Sequence, residues 1–325
     1  MKLSKNKLIK RPSSLKALNP NSNVMRKSAI AISVSSALLG FGFAQAEEIE
    51  LDTLQIEDRA SDVNPYTQDG APYKARVSGD SRRVEELVDT PQTITVITQE
   101  EIQDSGNTDL KQILADQPGV TIGTGENGNA FGDRYIIRGH EARSDVFVDG
   151  IKDPGMTTRE SFAVDQVEIT KGPSATFAGR GSTGGAVNSV TKRASTEYDF
   201  TNGKVTFGSD KNKRITVDTN LLMGDDMALR INGLLAETDV PDRAPAERKR
   251  KGLAVSLTKE ISNDTNITAD IYYLKSEDKP DLGTYIVSGG SPIKDIPVYL
   301  QDQDFLDSEV ISGTLRLEHA FSDSV

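Results

Sequence analysis

The sequence has 325 residues with 38 Lys and Arg, 49 Asp and Glu, no Cys and no Trp, enough for one large or two modest domains. The absence of cysteine excludes a disulfide scaffold and a zinc–thiolate centre. Charge is uneven: residues 1–46 hold eight Lys and Arg and no acid, so the remainder carries a formal −19, a surface that repels phosphate backbones and argues against a nucleic-acid partner. No run is long and apolar enough for a transmembrane helix.

In chain order, Met25-Arg26-Lys27 precedes an uncharged stretch from Ser28 to Phe43, and Ala44-Gln45-Ala46 follows it. The cations flank the N-terminal side, the apolar part is too short to persist as a spanning helix, and small residues fill both positions of an A-x-A site. These are the three parts of a secretory signal peptide, residues 1–46, with cleavage expected after Ala46. The basic segment Met1 to Val24 is either an extended leader or the result of an upstream start, with Met25 the alternative initiator. A secreted chain without cysteine suits a bacterial envelope protein.

Residues 47–81 are polar and broken by Pro65, Gly70, Pro72 and Gly79, which reads as a flexible arm. Within it Leu51-Asp52-Thr53-Leu54-Gln55-Ile56 alternates like a short strand with no partner, the raw material of β-augmentation. Residues 82–193 read as compact α+β. Thr93 to Ile97 is a strand, and Thr98-Gln99-Glu100-Glu101 is a capping box opening a helix to about Ser105. Thr108 is expected to cap a second helix, Asp109 to Ala115, stopped by Pro118-Gly119. Short strands follow at Val120 to Ile122, Arg134 to Arg138, Val146 to Val148, Val164 to Thr170 and Ala186 to Thr191.

From Tyr198 onward the strands lengthen and alternate strictly. Ile215, Val217, Thr219 and Leu221 form one apolar phase; Leu229, Ile231 and Leu235, then Leu253, Val255 and Leu257, Ile267, Ala269, Ile271 and Tyr273, and Ile311, Leu315 and Leu317 repeat it. The other phase holds Thr216, Asp218, Arg230, Asn232, Ser256, Asp270, Arg316 and Glu318. Connections alternate too: Met223 to Asp226 and Ser262 to Thr265 are tight, whereas Val240 to Lys249 and Asp278 to Ser308 are long and polar. An antiparallel sandwich also alternates, but turn asymmetry together with a signal peptide favours a transmembrane β-barrel with a wet lumen. Only six strands fit before Val325, and a barrel that encloses a folded domain takes about 22, so the chain is expected to be the N-terminal part of a longer protein.

Gly123-Thr124-Gly125-Glu126-Asn127-Gly128 matches G-x-G-x-x-G, yet no helix opens after it and no βαβ unit surrounds it, which excludes a dinucleotide site. The Gly172 to Gly185 stretch lacks the Gly-Lys-Ser/Thr of a P-loop. His140 and His319 lie far apart in sequence, and no nucleophile–base pair, cofactor cradle or metal cluster assembles, so the chain does not read as an enzyme.

Several ordered blocks carry a resemblance: Asp52-Thr53-Leu54-Gln55-Ile56; Asp89-Thr90-Pro91-Gln92-Thr93-Ile94-Thr95-Val96-Ile97; Leu110 to Val120 ending in Pro-Gly-Val; Ile137-Arg138-Gly139; and Val148-Asp149-Gly150. To these are added Val167-Glu168-Ile169-Thr170-Lys171-Gly172-Pro173, Gly179-Arg180-Gly181-Ser182-Thr183-Gly184-Gly185-Ala186-Val187-Asn188 and Val190-Thr191-Lys192-Arg193. On these residues the chain from 47 to 325 resembles the start of a TonB-dependent outer-membrane siderophore receptor. Arg159-Glu160-Ser161-Phe162 and the long loop containing Pro280 look most like the catecholate type, although ferrichrome-type receptors share most plug blocks.

The resemblance implies an α+β plug domain inside a transmembrane antiparallel β-barrel of about 22 strands, with the first six or so strands present in residues 198–325. It implies a TonB box at Asp52, Thr53, Leu54, Gln55 and Ile56, and plug–barrel contacts from Arg138 and Arg180 to acids such as Asp218, Asp270 and Glu318. The plug glycines Gly172, Gly179, Gly181, Gly184 and Gly185 are expected to serve backbone geometry. Ligand contact is expected from the plug apices, through Asn127, Asn129, Phe131 and Arg134 on the Gly123 to Asp133 loop and Arg143 on Glu141 to Ser144, since a ferric tris-catecholate is an anion with aromatic faces. The implied partners are TonB with its inner-membrane energising complex, a ferric siderophore and outer-membrane lipid, around a monomer; no cofactor is implied, iron entering only within the substrate. A signalling variant carries an extra domain before its TonB box, for which the residues between Ala46 and Asp52 leave no room. A receptor that captures its ligand without importing it, or one for another chelate or small nutrient, remains the alternative.

Overall fold

The computed structural model describes residues 64–68, 70–123, 134–142, 144–153, 157–173, 183–281 and 298–321. The signal peptide, the TonB box, Asn127, Asn129, Phe131, Arg143 and Arg180 lie outside them.

The first described segment is tied down rather than being part of a flexible arm. A short hairpin of β1 (Thr67–Gln68) and β2 (Ala71–Ala75) leads to Ser78 and Gly79, which are held by one buried carboxylate: Glu168 accepts from Ser78 Oγ at 2.8 Å and from the Gly79 N–H at 2.6 Å. Asn64 reaches back to the Asp165 carbonyl at 3.0 Å. Strands of two to five residues are too short to show a period, which is why the polar composition alone suggested a loose arm.

β3 (Thr93–Thr98) runs into α1 (Gln99–Ser105), whose cap is Thr98, its side chain accepting from the Glu101 N–H at 3.3 Å, with Gly106 in the left-handed conformation closing the other end. The second helix, α2 (Leu110–Ala115), is capped by Asp109, not Thr108: Asp109 accepts from the Gln112 N–H at 2.8 Å, whereas Thr108 binds the Gln112 side chain. Then come β4 (Val120–Ile122), β5 (Tyr135–Ile137), β6 (His140–Glu141), β7 (Val146–Val148), β8 (Ile151–Lys152), a 3-10 turn (Ser161–Ala163), β9 (Val164–Lys171) and β10 (Gly185–Thr191). They form a five-stranded sheet, β3-β9-β10-β7-β8, and a three-stranded sheet, β4-β5-β6. Ile97, Ile102, Leu110, Leu114, Tyr135, Ile137, Val167, Ile169 and Val187 are buried together between sheets and helices. Gly184 permits the sharp approach of β10 to this core, because a Cβ there would lie 2.2 Å from the Ile137 carbonyl oxygen.

The second layer is an antiparallel meander, β11 (Phe200–Phe207), β12 (Lys213–Leu222), β13 (Met227–Asp239), β14 (Glu247–Ser262), β15 (Thr265–Lys279) and β16 (Leu306–His319), paired in sequence order. Burial alternates along it as the phases require: on β13, Ala228, Arg230, Asn232 and Leu234 are buried, while Leu235 on the opposite face is 56% exposed. Two connections at one end are short, residues 223–226 and 263–264, and those at the other end are 208–212, 240–246 and 280–305. The 240–246 connection is tighter than its polar composition suggested, because β14 begins at Glu247 and the Val240 N–H donates to the Ala246 carbonyl at 2.9 Å.

Candidate functional site

The plug rests on the polar face of the wall, and the contacts between them gather the unusual side chains of the molecule. At one point Asp218 on β12 receives Lys192 from the end of the plug at 2.8 Å and Arg230 of β13 through Nε and Nη2 at 2.9 and 2.8 Å. Arg230 also donates to the Arg193 carbonyl at 3.1 Å, lies 3.7 Å from Asp165, and covers the Phe200 ring at 5.2 Å. A buried guanidinium is tolerable only with such a full complement of acceptors.

A second cluster forms around Asp149, in the turn between β7 and β8. It accepts from the Thr191 N–H and Oγ1 at 3.0 and 2.6 Å, and approaches Arg193 and Arg316 at 3.4 Å each. Arg316 in turn lies 3.8 Å from Asp270, and Arg193 lies 4.0 Å from Glu318. The main chain joins in, with the Ala194 N–H on Ser256 Oγ at 3.1 Å and Asn220 bonded to both the N–H and carbonyl of Ser195.

The third contact is a knob. Glu160, Ser161 and Phe162 project from the plug, and the Phe162 ring packs among Leu234, Ala236, Ala254 and Leu274, stacked on Tyr272 at 5.8 Å between centroids. Beside it Glu160, 6% exposed, faces Arg214 at 2.9 Å and Arg250 at 3.5 Å, and Arg250 continues to Asp278. Burial pushes the Glu160 carboxyl above the usual carboxylate range, against the opposing pull of Arg214.

The acids foreseen for plug docking, Asp218, Asp270 and Glu318, do face the plug; of the two arginines foreseen for them, Arg180 lies outside the described residues and Arg138 is not paired with any of the three. Arg138 is an exposed residue with φ 50° in the β5–β6 turn, close to Gly172. Among the described residues the three acids are served by Lys192, Arg230, Arg316 and Arg193. Much of the charge pattern is reversed, wall arginines Arg214, Arg250, Arg230 and Arg316 meeting plug carboxylates Glu160, Asp165 and Asp149. The inward phase of Arg230 and Arg316 was visible in the alternation, whereas Arg214, Arg250 and the partners of all four were not. Arg134 pairs with Glu141 at 3.1 Å across the three-stranded sheet, at the margin of the loop proposed for ligand contact. Among the described residues no group of three His, Cys, Asp or Glu could hold a metal ion.

A folded plug seated on the polar face of an antiparallel wall, whose other face is apolar, defines the class of plugged β-barrel proteins. Residues 86–186 match the family model of the TonB-dependent Receptor Plug Domain. The siderophore receptor PiuA of Acinetobacter baumannii is 38% identical over 262 residues, spanning 78% of this chain and 35% of that protein. Its crystal structure aligns with a TM-score of 0.74 over 78% of this chain and 37% of that one. The catecholate siderophore receptor Fiu of Escherichia coli K12 is 28% identical over 308 residues, 90% of this chain and 39% of that protein. The closed form of the Fiu crystal structure gives a TM-score of 0.71 over 78% of this chain and 38% of that one. The ferrichrome outer membrane transporter and phage receptor of E. coli K12 is 27% identical over 268 residues, 79% of this chain and 35% of that protein. The chain belongs to the TonB-dependent receptors, and it spans 35% to 39% of the length of these curated relatives.

Proposed function

We propose that the protein is an outer-membrane receptor and active transporter for ferric siderophores, of the catecholate type, energised through TonB. The observation that carries this reading is the plug docked by buried ion pairs onto the polar face of a wall whose outer face is apolar. Such contacts hold a stopper in a lumen releasably, because removing the plug returns the charges to water, with the Phe162 knob as an apolar anchor beside them. The likeness to PiuA and Fiu supports the siderophore and catecholate parts of the proposal. A wall of about 22 strands would complete the barrel. Asp52 to Ile56 would be the handle, adding a strand to TonB through main-chain hydrogen bonds, and the ion pairs would keep the plug seated until TonB pulls.

The test is uptake of labelled ferric catecholate by iron-limited cells, with ferrichrome as the contrasting substrate. Leu54→Pro is expected to abolish uptake while leaving ligand binding at the cell surface intact, since proline removes a main-chain donor. Loss of binding as well would overturn the handle, and preferential uptake of ferrichrome would overturn the catecholate assignment.

A further inference from the structure

The plug does not seal against every strand of the wall. On β13 the lumen-phase residues Ala228, Arg230, Asn232 and Leu234 are all buried beneath it, whereas on β11 the same phase, Asn202, Lys204 and Thr206, stays exposed. Between that face of β11 and the plug lies a cleft of about 550 Å³, within the size range of small-molecule sites. Its plug side is the last turn of α1 and the residues after it, with Gln103 and Asn107, and its wall side is the paired strands β11 and β12.

The cleft has a direction. Asn212, in a connection at the long-connection end of the wall, lines one end of it, and Asp218 in the middle of β12 lines the other. Extended chain rises roughly 3.3 Å per residue, so the two ends are about 20 Å apart. The inner end is closed: Lys192 of the plug donates to Asp218 at 2.8 Å, and one row further on Asn220 is bonded to both the N–H and the carbonyl of Ser195. Of the cations along it, Arg214 faces Glu160 and Lys192 faces Asp218. Lys204, opposite Thr216 and midway along, forms no ion pair among the described residues, and among those residues the lining has no acid besides Asp218. A hydrated ammonium on a flexible stem, set among amides and hydroxyls, suits an anion that has to be guided and let go.

We propose that this cleft is the passage by which a ferric siderophore descends beside the plug, with Lys204 as its contact for the anion and the Lys192–Asp218 pair as its inner stop. The proposal rests on the transporter reading above, with the long connections outside the cell. The passage falls on the β11–β12 side because the other contacts are filled, by Arg230 against Asp165, by Arg316 against Asp149 and by the Phe162 knob. Opening those means breaking buried ion pairs or unpacking a ring. Opening the cleft inward needs only Lys192 and Ser195 to leave Asp218 and Asn220, and both belong to the short segment that ends the plug.

The test measures surface binding and uptake of labelled ferric catecholate on the same iron-limited cells. The sequence has no cysteine, so Thr216→Cys places a single thiol in it, one row above the inner stop. Fluorescein maleimide added outside is expected to reach that thiol and to block uptake while leaving surface binding unchanged. Methyl methanethiosulfonate, which adds only a small group, should leave uptake close to that of the unlabelled variant, and Thr206→Cys, in the outer row, should behave in the same way. Lys204→Gln is expected to lower uptake about tenfold with binding intact, and Lys204→Arg to restore it. Uptake indifferent to the bulky label, thiols at both positions that it cannot reach from outside, or loss of surface binding in step with uptake in Lys204→Gln would each overturn the passage. Wild type that binds the ferric catecholate and imports none would overturn the transporter reading, and the passage with it.

Discussion

Gly252 on the wall lies against Phe162 of the plug so closely that a Cβ at position 252 would sit 2.7 Å from Phe162 Cζ. The wall has left out a side chain where the plug supplies one. Gly252→Ala must push the ring off its stack on Tyr272 and is expected to destabilise the seated plug by about 1–3 kcal/mol, the usual cost of overpacking. Phe162→Ala removes the knob and should cost about 3–5 kcal/mol at a site this enclosed. Limited proteolysis of membrane-embedded protein reads both variants, with faster cleavage in the plug as the expected outcome and unchanged rates as the refutation.

The Asp218, Lys192 and Arg230 contact is buried from both sides, so truncating one partner strands the others. Asp218→Ala leaves Lys192 and Arg230 without the carboxylate they share, Asp165 remaining 3.7 Å from Arg230, and is expected to cost about 3–5 kcal/mol. Lys192→Met is gentler, because the two-point contact between Arg230 and Asp218 survives it. A thermal melt that ranks Lys192→Met below Asp218→Ala in stability would contradict this arrangement.

Most of the wall was legible as alternation, since a strand with one face on lipid and one on a wet lumen has to separate its residues by phase. Arg230 and Arg316 were legible as inward-facing in the same way. Which carboxylate each one meets was not, because phase along a strand says nothing about the register of a separately folded plug against it. Arg138 was expected to dock by its motif; in the described residues it sits in the β5–β6 turn with φ 50° and meets none of Asp218, Asp270 or Glu318. Thr108 and Asp109 are both good capping residues in adjacent positions, and only the three-dimensional path selects Asp109. Glu160 and Phe162 were noted as marks of receptor type, whereas their positions make them structural contacts.

Glu168 is a single carboxylate that fixes three elements. It takes hydrogen bonds from Ser78 and Gly79 of the N-terminal segment, from Gln166 at 2.9 Å on its own strand, and from Asn188 at 3.2 Å on β10. Glu168→Ala leaves these buried donors without their acceptor, at about 1–3 kcal/mol for each one not rescued by water. The expected result is rapid amide hydrogen exchange confined first to residues 76–80. Protection there equal to wild type would show that the segment is held by something else.

Tyr66 offers a test that needs only alkali. Burial, ahead of the neighbouring charges, pushes its hydroxyl from 10 up to about 12, with Arg193 pulling the other way and Asp165 and Asp149 adding to the rise. Because the folded value is the higher one, the stabilisation is fully present below pH 10 and is lost as pH climbs from 10 through about 12. The segment affected is the one that leads from the proposed TonB handle, since Asn64 accepts from the Tyr66 N–H at 2.9 Å and itself holds the Asp165 carbonyl. Wild type should therefore lose protection over residues 64–75 in that alkaline window, while Tyr66→Phe, which cannot ionise, should lose less. Other tyrosines titrate in both proteins, so the difference between the two curves isolates Tyr66. Curves that superimpose would mean that the phenol is already in contact with water, and that the anchor lies elsewhere in the segment.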